Sequence, residues 1–589
     1  MVREFSADVK EIRNILRTDD STYIIPRYQR GYSWKRPQIS ALWDDMMEEE
    51  FGLFIGTILL NQGDDREDRV QIIDGQQRLL TITVLLSSIR DALEKIGGGG
   101  AERRAGKIQL MYIQDEEYED RINKIQTARK IRDFFDEVIV EPRRGRKVRE
   151  AITDEEKRVR AARAFFDSKI SGYTKGIKGE VEKITHLESL IKRVEKLSVV
   201  AINVENPEDA YKVFESVNAK GAALTLADIL KSLIFRRIPP TSEEDSAQVQ
   251  WDKINSNLEG TGFSISKFIR YYWLSKYGFL TESKLYSAIK DKLEKEKGLT
   301  WGELLDDLVS NSRSLKRLKE ADHEDFTNYR SPRKISNGLK GISLMNVSQV
   351  YVLLLAIHRN QSMKEKWERE IEVLERFCFN YHAIGKQQAV RVEKKYSQYA
   401  IEIEKLNELE DGGMDHGKRA GMLEEILKGM ISDFKGVKGE YVTHDVFISR
   451  FVEELDYSKP AKRGMIKYAL QRINNHYTGG TGELSIDETM VNLEHVLPQR
   501  PAEWGLSETD VEEYVNRIGN LTLLSKKLNS QAGNMPLKGK FPKLEESELE
   551  ITKRLVEYIK DSGMAWNRKM ILDRSTNLAS LSYNEIWKL

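Results

Sequence analysis

The sequence predicts an α+β protein in which a few strands lie near the two ends of the chain and helices fill the rest. Short apolar, largely β-branched runs typical of buried strands occur at 54–60, 70–73, 197–204 and 491–497. Throughout 241–428, apolar residues recur at the spacing of helices. The 589 residues suffice for about three or four domains. We place three, at 1–240 with a helical insertion at about 101–196, at 241–430 and at 431–589.

Composition excludes several classes of protein before any motif is considered. Lysine plus arginine and aspartate plus glutamate both number 94, so any DNA contact must come from local patches. The single cysteine, Cys378, excludes an internal disulfide framework and a cysteine-rich zinc cluster, and its apolar surroundings predict a buried residue. The N-terminal residues are too charged for a signal peptide, and no apolar run approaches the ~20 residues that span a bilayer. We therefore expect a cytoplasmic protein without membrane contact.

The N-terminal region begins with a predicted short helix from Val9 to Arg17, followed by the segment IPRYQRGYSW at 25–34. This segment holds two arginines, two tyrosines and a tryptophan around one glycine. Such a segment can stack on a planar ring and hydrogen-bond a phosphate at the same time. A surface loop with aromatic anchors is the alternative.

The two runs at 54–60 and 70–73 predict a hairpin whose second strand leads into Asp74-Gly75-Gln76-Gln77-Arg78. An apolar helix then runs from Leu79 to about Lys95. N–H groups at the start of a helix face outward, and Gly75 would let a phosphate approach the backbone, so this turn predicts an anion site. Arg78 would neutralise the phosphate, and Asp74 could hold Mg²⁺ or a ribose hydroxyl. An ordinary Asp-Gly turn is the alternative.

The region between the two ends contains weaker signals. Gly97–Gly100 predicts a helix break and a flexible joint, and the residues after it are helical and charged up to about 196. The basic cluster Arg143–Arg149 can contact DNA or form a solvated loop. Thr225 and Asp228 have the spacing of a capping box for the next helix.

Near the other end, EHVLPQ at 494–499 and GNLTLLSKKLN at 519–529 predict the order strand, loop, strand, helix. A histidine that activates water, an adjacent carboxylate and a carboxamide on the following helix are what single-metal phosphodiester hydrolysis needs. Taken singly, the Glu-His pair suits a surface pair and each asparagine suits a turn or cap. Their order around an apolar strand favours the catalytic interpretation. The stretch from Ser525 to Lys543 adds five lysines and no acid, which suits a track for the phosphate backbone or a solvated face.

These two C-terminal pieces, roughly 495–540, resemble the HNH endonucleases. The resemblance implies a ββα-metal fold with His495 as general base and Glu494 and Asn529 as ligands of Mg²⁺ or Mn²⁺. It also implies that Asn520 pins the loop behind His495. Glu494 stands where many HNH motifs have aspartate, and the zinc-binding cysteines of some members are absent.

The pair IPRYQRGYSW and IIDGQQRLLTI resembles the ParB/sulfiredoxin-like domain at the front of GmrSD-type, modification-dependent (type IV) restriction enzymes, which carry an HNH domain at the other end. The resemblance implies an N-terminal α/β domain that binds and hydrolyses a nucleoside triphosphate. Asn218 and Lys220, in a segment similar to the end of that domain, would line its pocket or form a plain helix corner. The residues that the resemblance assigns to nucleotide binding or to the DNA-modification pocket are Tyr28, Gln29, Arg30, Asp74, Gly75, Gln76, Gln77 and Arg78.

The function that these resemblances imply is NTP-dependent cleavage of double-stranded phage DNA carrying modified cytosine, such as glucosylated hydroxymethylcytosine, in anti-phage defence. One alternative is a nickase of the same architecture that senses phosphorothioate backbones. A second is a regulatory DNA-binding protein that uses the HNH fold as a scaffold, against which the complete set Glu494, His495, Asn520 and Asn529 argues. A homodimer is compatible with this architecture. The sequence leaves open the recognised modification, the preferred nucleotide, nicking versus double-strand cleavage, and the oligomeric state.

Overall fold

The fold is that of a computed structural model, which describes residues 5–17, 22–29, 31–49, 52–62, 69–117, 120–204, 225–241, 245–295, 298–479 and 490–589. It has the mixed α+β composition that the sequence predicts. The chain divides into two compact units, Met1–Gln248 and Val249–Leu589. The predicted middle and C-terminal regions both fall in the second unit.

Most strands belong to the first unit. The described strands are β1 (Phe5–Glu11), β2 (Thr22–Ile24), β3 (Phe54–Gln62), β4 (Arg69–Asp74), β5 (Gln114–Glu117), β6 (Asp120–Asn123), β7 (Ile125–Gln126), β8 (Ser198–Val204), β9 (Val491–His495) and β10 (Leu521–Ser525). Six of them form one mixed sheet in the order β1-β8-β3-β4-β2-β7. The predicted hairpin is present as the antiparallel pair β3 and β4. The remaining strands form two separate antiparallel pairs, β5 with β6 and β9 with β10.

Helices cover the sheet of the first unit. They are α1 (Ile12–Leu16), α2 (Arg36–Glu48), α3 (Gln76–Ile96), α4 (Gly98–Ile108), α5 (Arg129–Phe135), α6 (Asp154–Tyr173), α7 (Glu180–Glu195) and α8 (Leu226–Arg237). The apolar helix α3 is buried along most of its length and packs against α4, α6 and α7. The capping box predicted at the start of α8 is confirmed, since Thr225 Oγ1 accepts from the N–H of Asp228 at 3.3 Å and the Asp228 carboxylate accepts from the N–H of Thr225 at 2.9 Å.

Three predictions for the first unit are confirmed only in part. Val9 belongs to β1, which pairs antiparallel with β8, and the helix covers only Ile12–Leu16 because the free edge of β8 draws the preceding residues into the sheet. The helix break predicted at Gly97–Gly100 is confirmed, since α3 ends at Ile96, but α4 starts at Gly98, so the joint predicted over all four glycines is wrong. The region 101–196 is not helical throughout, since it contains β5, β6 and β7.

The second unit is mainly helical. Its helices are α9 (Ser246–Leu258, which begins at the end of the first unit), α10 (Ile265–Lys276), α11 (Glu282–Glu294), α12 (Trp301–Glu320), α13 (Pro332–Leu344), α14 (Tyr351–Arg359), α15 (Trp367–Cys378), α16 (Val390–Asp411), α17 (His416–Tyr441), α18 (His444–Glu454), α19 (Arg463–Tyr477), α20 (Glu508–Val511), α21 (Lys526–Ala532), α22 (Leu537–Glu545), α23 (Glu550–Asp561) and α24 (Arg568–Leu581). Cys378 is buried, as predicted. None of the helices in the described ranges is long and apolar enough to cross a membrane.

The core of the second unit does not stop at the boundary expected near residue 431. Helix α17 runs across that position without a break. Near the C terminus, the ring of Trp587 stacks on Phe379 with ring centroids 3.7 Å apart. The indole N–H of Trp587 donates to the buried carboxylate of Glu375 at 2.6 Å. The last residues of the chain therefore pack against helices of the middle region.

Candidate functional site

The predicted order of strand, loop, strand and helix is present at 491–532. Strands β9 and β10 pair antiparallel, with His495 opposite Leu521 and Glu494 opposite Thr522. Helix α21 follows β10 directly, and the Ser525 hydroxyl caps it by accepting from the N–H of Leu528 at 3.3 Å. The strand pair thus holds Glu494 and His495 beside the first turns of α21.

The turn into β10 allows no side chain at Gly519. A Cβ atom there would lie 2.0 Å from the carbonyl oxygen of Ile571 and 2.4 Å from the hydroxyl of Ser575. The Gly519 N–H donates to that hydroxyl at 3.0 Å, and the buried Arg574 donates to the Gly519 carbonyl at 2.6 Å. Helix α24 therefore holds the start of β10 by close backbone contact.

Asn520 is fully buried and uses both ends of its carboxamide. Its Nδ2 donates to the carbonyls of Leu497 at 2.8 Å and Val515 at 2.7 Å. Its Oδ1 accepts from the N–H of Leu497 and from the Trp566 indole, both at 2.9 Å. Asn520 thus ties the residues just after His495 to the loop before β10.

Glu494, Asn529 and Lys540 form a cluster in which Glu494 and Lys540 are buried and Asn529 is partly buried. Asn529 Nδ2 lies 3.0 Å from Glu494 Oε2, and Lys540 Nζ lies 2.6 Å from Glu494 Oε1. Lys540 also donates to the carbonyl oxygen of His495 at 2.5 Å. Burial raises the pKa of Glu494 and lowers that of Lys540, while the attraction between the two charges opposes both shifts.

The His495 imidazole is packed against other side chains, but one of its ring nitrogens has no hydrogen-bond partner among the described residues. The Tyr457 ring meets it edge-on, with centroids 4.7 Å apart. Burial lowers the pKa of His495 to about 4; a hydrogen bond with Asn516 opposes this shift, and the charges of Lys540 and Arg463 add to it. Among the described residues, no group forms a hydrogen bond with the buried Nε2 atom. The side chain is therefore neutral at neutral pH.

Lys540 was not predicted to belong to this cluster. The sequence places it among five lysines of a phosphate track, but it is 1 % exposed and is bonded to Glu494, so for Lys540 that interpretation is wrong. A usable signal exists in the sequence: Leu537, Lys540, Phe541 and Leu544 share one face of α22 at helical spacing. A lysine on an apolar helix face needs a buried acid as its partner. Of the other four lysines, Lys526, Lys527 and Lys538 are exposed.

The two N-terminal motifs lie side by side. Gln29 Nε2 donates to the carbonyl of Ile73 at 2.8 Å, next to Asp74 at the end of β4. Gln77 accepts from the N–H of Ser33 at 2.7 Å and donates to the carbonyl of Gly31 at 3.1 Å. The side chains of the DGQQR turn thus hold the IPRYQRGYSW loop in place. Arg30 lies outside the described residues, as do Asn218 and Lys220.

Of the other predicted pocket residues of these motifs, Gln76 is buried and Tyr28 is partly buried. Tyr28 hydrogen-bonds Ser232, and burial raises its pKa. Gln76 is 5 % exposed in the first turn of α3. Neither side chain is placed as a freely accessible surface for a planar ring.

Gly75 and Arg78 form the turn between β4 and α3. Gly75 has a left-handed backbone with φ of 90°, and a Cβ atom there would lie 2.4 Å from Ile58 Cγ2. The Arg78 guanidinium donates to the carbonyl of Thr57 at 2.5 Å and lies 3.5 Å from the Asp74 carboxylate. Burial lowers the pKa of Arg78, and the charge of Asp74 opposes this shift. Arg78 therefore links the helix start to β3 in this state, and a phosphate would compete for its donors.

The basic cluster at 143–149 is largely neutralised by acids. Its arginines form the ion pairs Arg143–Asp167, Arg144–Glu94, Arg146–Glu141 and Arg149–Glu156. Of the two interpretations left open by the sequence, this pairing favours the solvated loop.

Comparison with known families covers both ends of the chain. The family model described as the N-terminal domain of GmrSD restriction endonuclease matches residues 12–235, and that of the C-terminal domain of GmrSD restriction endonucleases matches residues 441–581. The chain belongs to the GmrSD-type restriction endonucleases. No curated protein gives a significant match.

Membership in this family assigns the protein to the type IV, modification-dependent restriction endonucleases, whose substrate is DNA. The two matched regions contain the two groups of residues described above. The DGQQR turn lies within the N-terminal match, and the cluster around Glu494 lies within the C-terminal match.

Proposed function

We propose that this GmrSD-type enzyme cuts DNA at the centre formed by Glu494, His495 and Asn529, by the HNH mechanism. The observation that carries the proposal is that the buried Nε2 atom of His495 forms no hydrogen bond with any described group. It belongs to a neutral imidazole one residue from a carboxylate that already binds a cation, the ammonium of Lys540. A free base beside a cation site is the arrangement that water activation and phosphate binding require.

A divalent ion fits this donor set. Glu494 supplies a carboxylate and Asn529 a carboxamide oxygen once its amide is turned, and oxygen donors suit Mg²⁺ or Mn²⁺. The described residues contain no group of three or more acidic, histidine or cysteine ligands, so waters and substrate phosphates would have to complete the ligands of the ion. When bound, the ion would supply Lewis-acid stabilisation of charge on the phosphate oxygens.

The side chains have separate roles in the proposed hydrolysis. His495 Nε2 takes a proton from the attacking water as its oxygen bonds to phosphorus, and one phosphate ester bond breaks as the leaving oxygen takes up a proton from solvent. Glu494 and Asn529 would hold the ion, and Asn520 keeps the chain after His495 in position through its four hydrogen bonds. Lys540 is a positioning residue that compensates the buried carboxylate and binds the carbonyl of His495.

We propose in addition that the N-terminal unit binds and hydrolyses a nucleoside triphosphate at the DGQQR turn and so licenses cleavage of DNA with modified cytosine. The support is local: a left-handed Gly75 at the start of a long helix, with the acid and base pair Asp74 and Arg78 beside it. Bound phosphate would draw the Arg78 donors away from the Thr57 carbonyl. Because Gln77 and Gln29 connect this turn to the IPRYQRGYSW loop, such a movement would reach that loop.

The nuclease proposal is tested on phage genomes containing glucosylated hydroxymethylcytosine, phosphorothioate or no modification, with Mg²⁺ and each nucleoside triphosphate in turn. The His495→Ala variant is compared with His323→Ala, which removes an exposed histidine of the same unit. Removing a general base should slow cleavage by about 10²–10⁴-fold, and the control should cut at the parental rate. Cleavage by His495→Ala at the parental rate contradicts the proposal, and nicks without double-strand breaks would point to the nickase alternative.

The nucleotide proposal has its own readout. Arg78→Ala should lose hydrolysis of the nucleoside triphosphate, whereas His495→Ala should keep it. If Arg78→Ala hydrolyses the nucleotide at the parental rate, the turn is structural and the nuclease proposal is unaffected.

A further inference from the structure

A groove of about 610 Å³ lies in the first unit, between the start of α2 and one face of α6, and the residues that line it do not include the DGQQR turn. Its walls contain two aromatic residues, Trp34 and Phe165, and both are partly buried. The ammonium of Lys169 lies 5.5 Å from the centre of the Phe165 ring. Cavities of about 300–1,000 Å³ take ligands of nucleotide size. Trp34 is the last residue of the IPRYQRGYSW segment, and Tyr28 of the same segment does not line this groove.

The groove is strongly basic. The charged residues of its lining are Lys35, Arg36, Lys157, Arg158 and Lys169, and the lining contains no acid. Lys157 and Lys169 form ion pairs with Asp154 and Asp44 outside the groove. Within the described ranges, the side chains of Arg36 and Arg158 form no ion pair. Two arginines on opposite walls therefore retain donors for an anion.

We propose that this groove binds a strand of the DNA substrate, with a base against Trp34 and Phe165 and phosphates against Arg36 and Arg158. Aromatic faces combined with a basic track are how proteins hold single nucleic acid strands. The length of the track favours a strand over a free nucleotide. Lys157 and Lys169 are twelve residues apart on α6, which is roughly 18 Å at the rise of an α-helix, and one strand of duplex DNA carries about five phosphates over that length of helix axis.

This groove would be a DNA contact separate from the cleavage centre, within the N-terminal match. Base stacking would sample bases directly, while the arginine contacts would be independent of sequence. The proposal does not depend on His495 or on the DGQQR turn.

The test measures binding of a fluorescein-labelled DNA strand, alone and in a duplex, to the full chain in EDTA by fluorescence anisotropy at several salt concentrations. The variant Arg36→Ala/Arg158→Ala should lower the slope of log K against log salt by about 1.4–1.8, and weaken binding roughly 25- to 60-fold at 0.1 M salt. The matched control, Arg103→Ala/Lys107→Ala, removes two exposed charges from α4 and should change both quantities much less.

The aromatic half of the groove is tested separately. Trp34→Leu and Phe165→Leu keep apolar volume but remove the ring, and each should weaken strand binding by about 5- to 150-fold without changing the salt slope. Trp34 and Phe165 both also pack against the core, so a thermal melt decides which of the two variants is folded.

A DNA strand and a free nucleotide both present a base and phosphates to the groove, and binding of a fluorescent ATP analogue distinguishes between them. The proposal expects the arginine and leucine variants to lose DNA affinity and to keep affinity for the analogue. Loss of analogue binding with DNA binding intact would overturn it in favour of a free-nucleotide site. Parental DNA affinity in all folded groove variants would overturn it outright.

Discussion

Replacing Lys540 by methionine should destabilise the protein, because it removes the positive charge beside the buried Glu494 carboxylate in the candidate cleavage centre. Methionine has a similar length and is apolar, so it fills the space of the lysine without its charge. The change leaves the Glu494 carboxylate buried without its ammonium partner, which lies 2.6 Å from Oε1. Removing one member of a buried ion pair typically costs about 3–5 kcal/mol of folding free energy.

Protonation of Glu494 limits this cost and makes it depend on pH. A neutral carboxyl avoids the buried charge, but protonating a glutamate with an unfolded pKa of about 4.3 costs roughly 3.7 kcal/mol at pH 7 and roughly 1 kcal/mol at pH 5. In the variant, the folded pKa of Glu494 lies above its unfolded value. Stability is therefore lost as the pH rises, and the destabilisation should be about 3–4 kcal/mol at pH 7 and about 1 kcal/mol at pH 5.

Urea unfolding of the parent, Lys540→Met, Glu494→Gln and the double variant at both pH values tests this expectation. Because the double variant contains no buried charge at this place, it should recover most of the stability lost at pH 7. Lys527→Met, on the exposed side of α21, is the control and should lie within about 0.5 kcal/mol of the parent. Mn²⁺ should stabilise Lys540→Met more than the parent, since the ion no longer competes with the ammonium for Glu494.

Two results would refute the reasoning. One is a stability of Lys540→Met equal to that of the parent at pH 7. The other is a loss that is independent of pH and remains when Glu494 is also neutral, because that loss would come from packing and not from charge.

Three further predictions concern the surroundings of the same centre. Burial lowers the pKa of His495 to about 4 from 6.5, so between these pH values the histidine binds a proton in the unfolded state but not in the folded state, and stability falls as the pH falls. His495→Gln should remove up to about 1.4 kcal/mol per pH unit of this dependence in urea unfolding. Equal pH dependence in the parent and the variant would contradict the pKa shift. Gly519→Ala should lower the melting temperature and reduce the free energy of unfolding by about 1–3 kcal/mol, because its Cβ atom would lie 2.0 Å from the Ile571 carbonyl oxygen. An unchanged melting curve would show that α24 can move away. Asn520→Ala should lower the free energy of unfolding by about 3 kcal/mol or more, since it leaves the Leu497 N–H and the Trp566 indole without their acceptor. In urea unfolding, a decrease below about 1 kcal/mol would mean that water replaces the side chain.

Local features of the fold were predictable because short-range interactions decide them. The hairpin of β3 and β4, the helix α3 and the capping box before α8 all follow from residues within a few positions of each other. Along β9 and β10, the apolar pattern and the flanking turn residues were sufficient to place both strands. The motif also predicted that Glu494 and Asn529 lie together, since the strand order brings the first turns of the helix beside the end of β9.

Other features depend on partners far away in the chain, and no local pattern contains them. Val9 has the surroundings of a short helix, yet it forms a strand because Val200 lies opposite it in the sheet. Lys540 looks like one member of a basic run, but the fold turns it inward to a carboxylate 46 residues earlier. Trp34 meets α6 more than 120 residues later to form the basic groove. The sequence by itself determined the secondary structure around the two motifs and the chemistry of their side chains. Only the tertiary structure decided which charges are buried against each other and which remain exposed, because burial and pairing depend on distance in space.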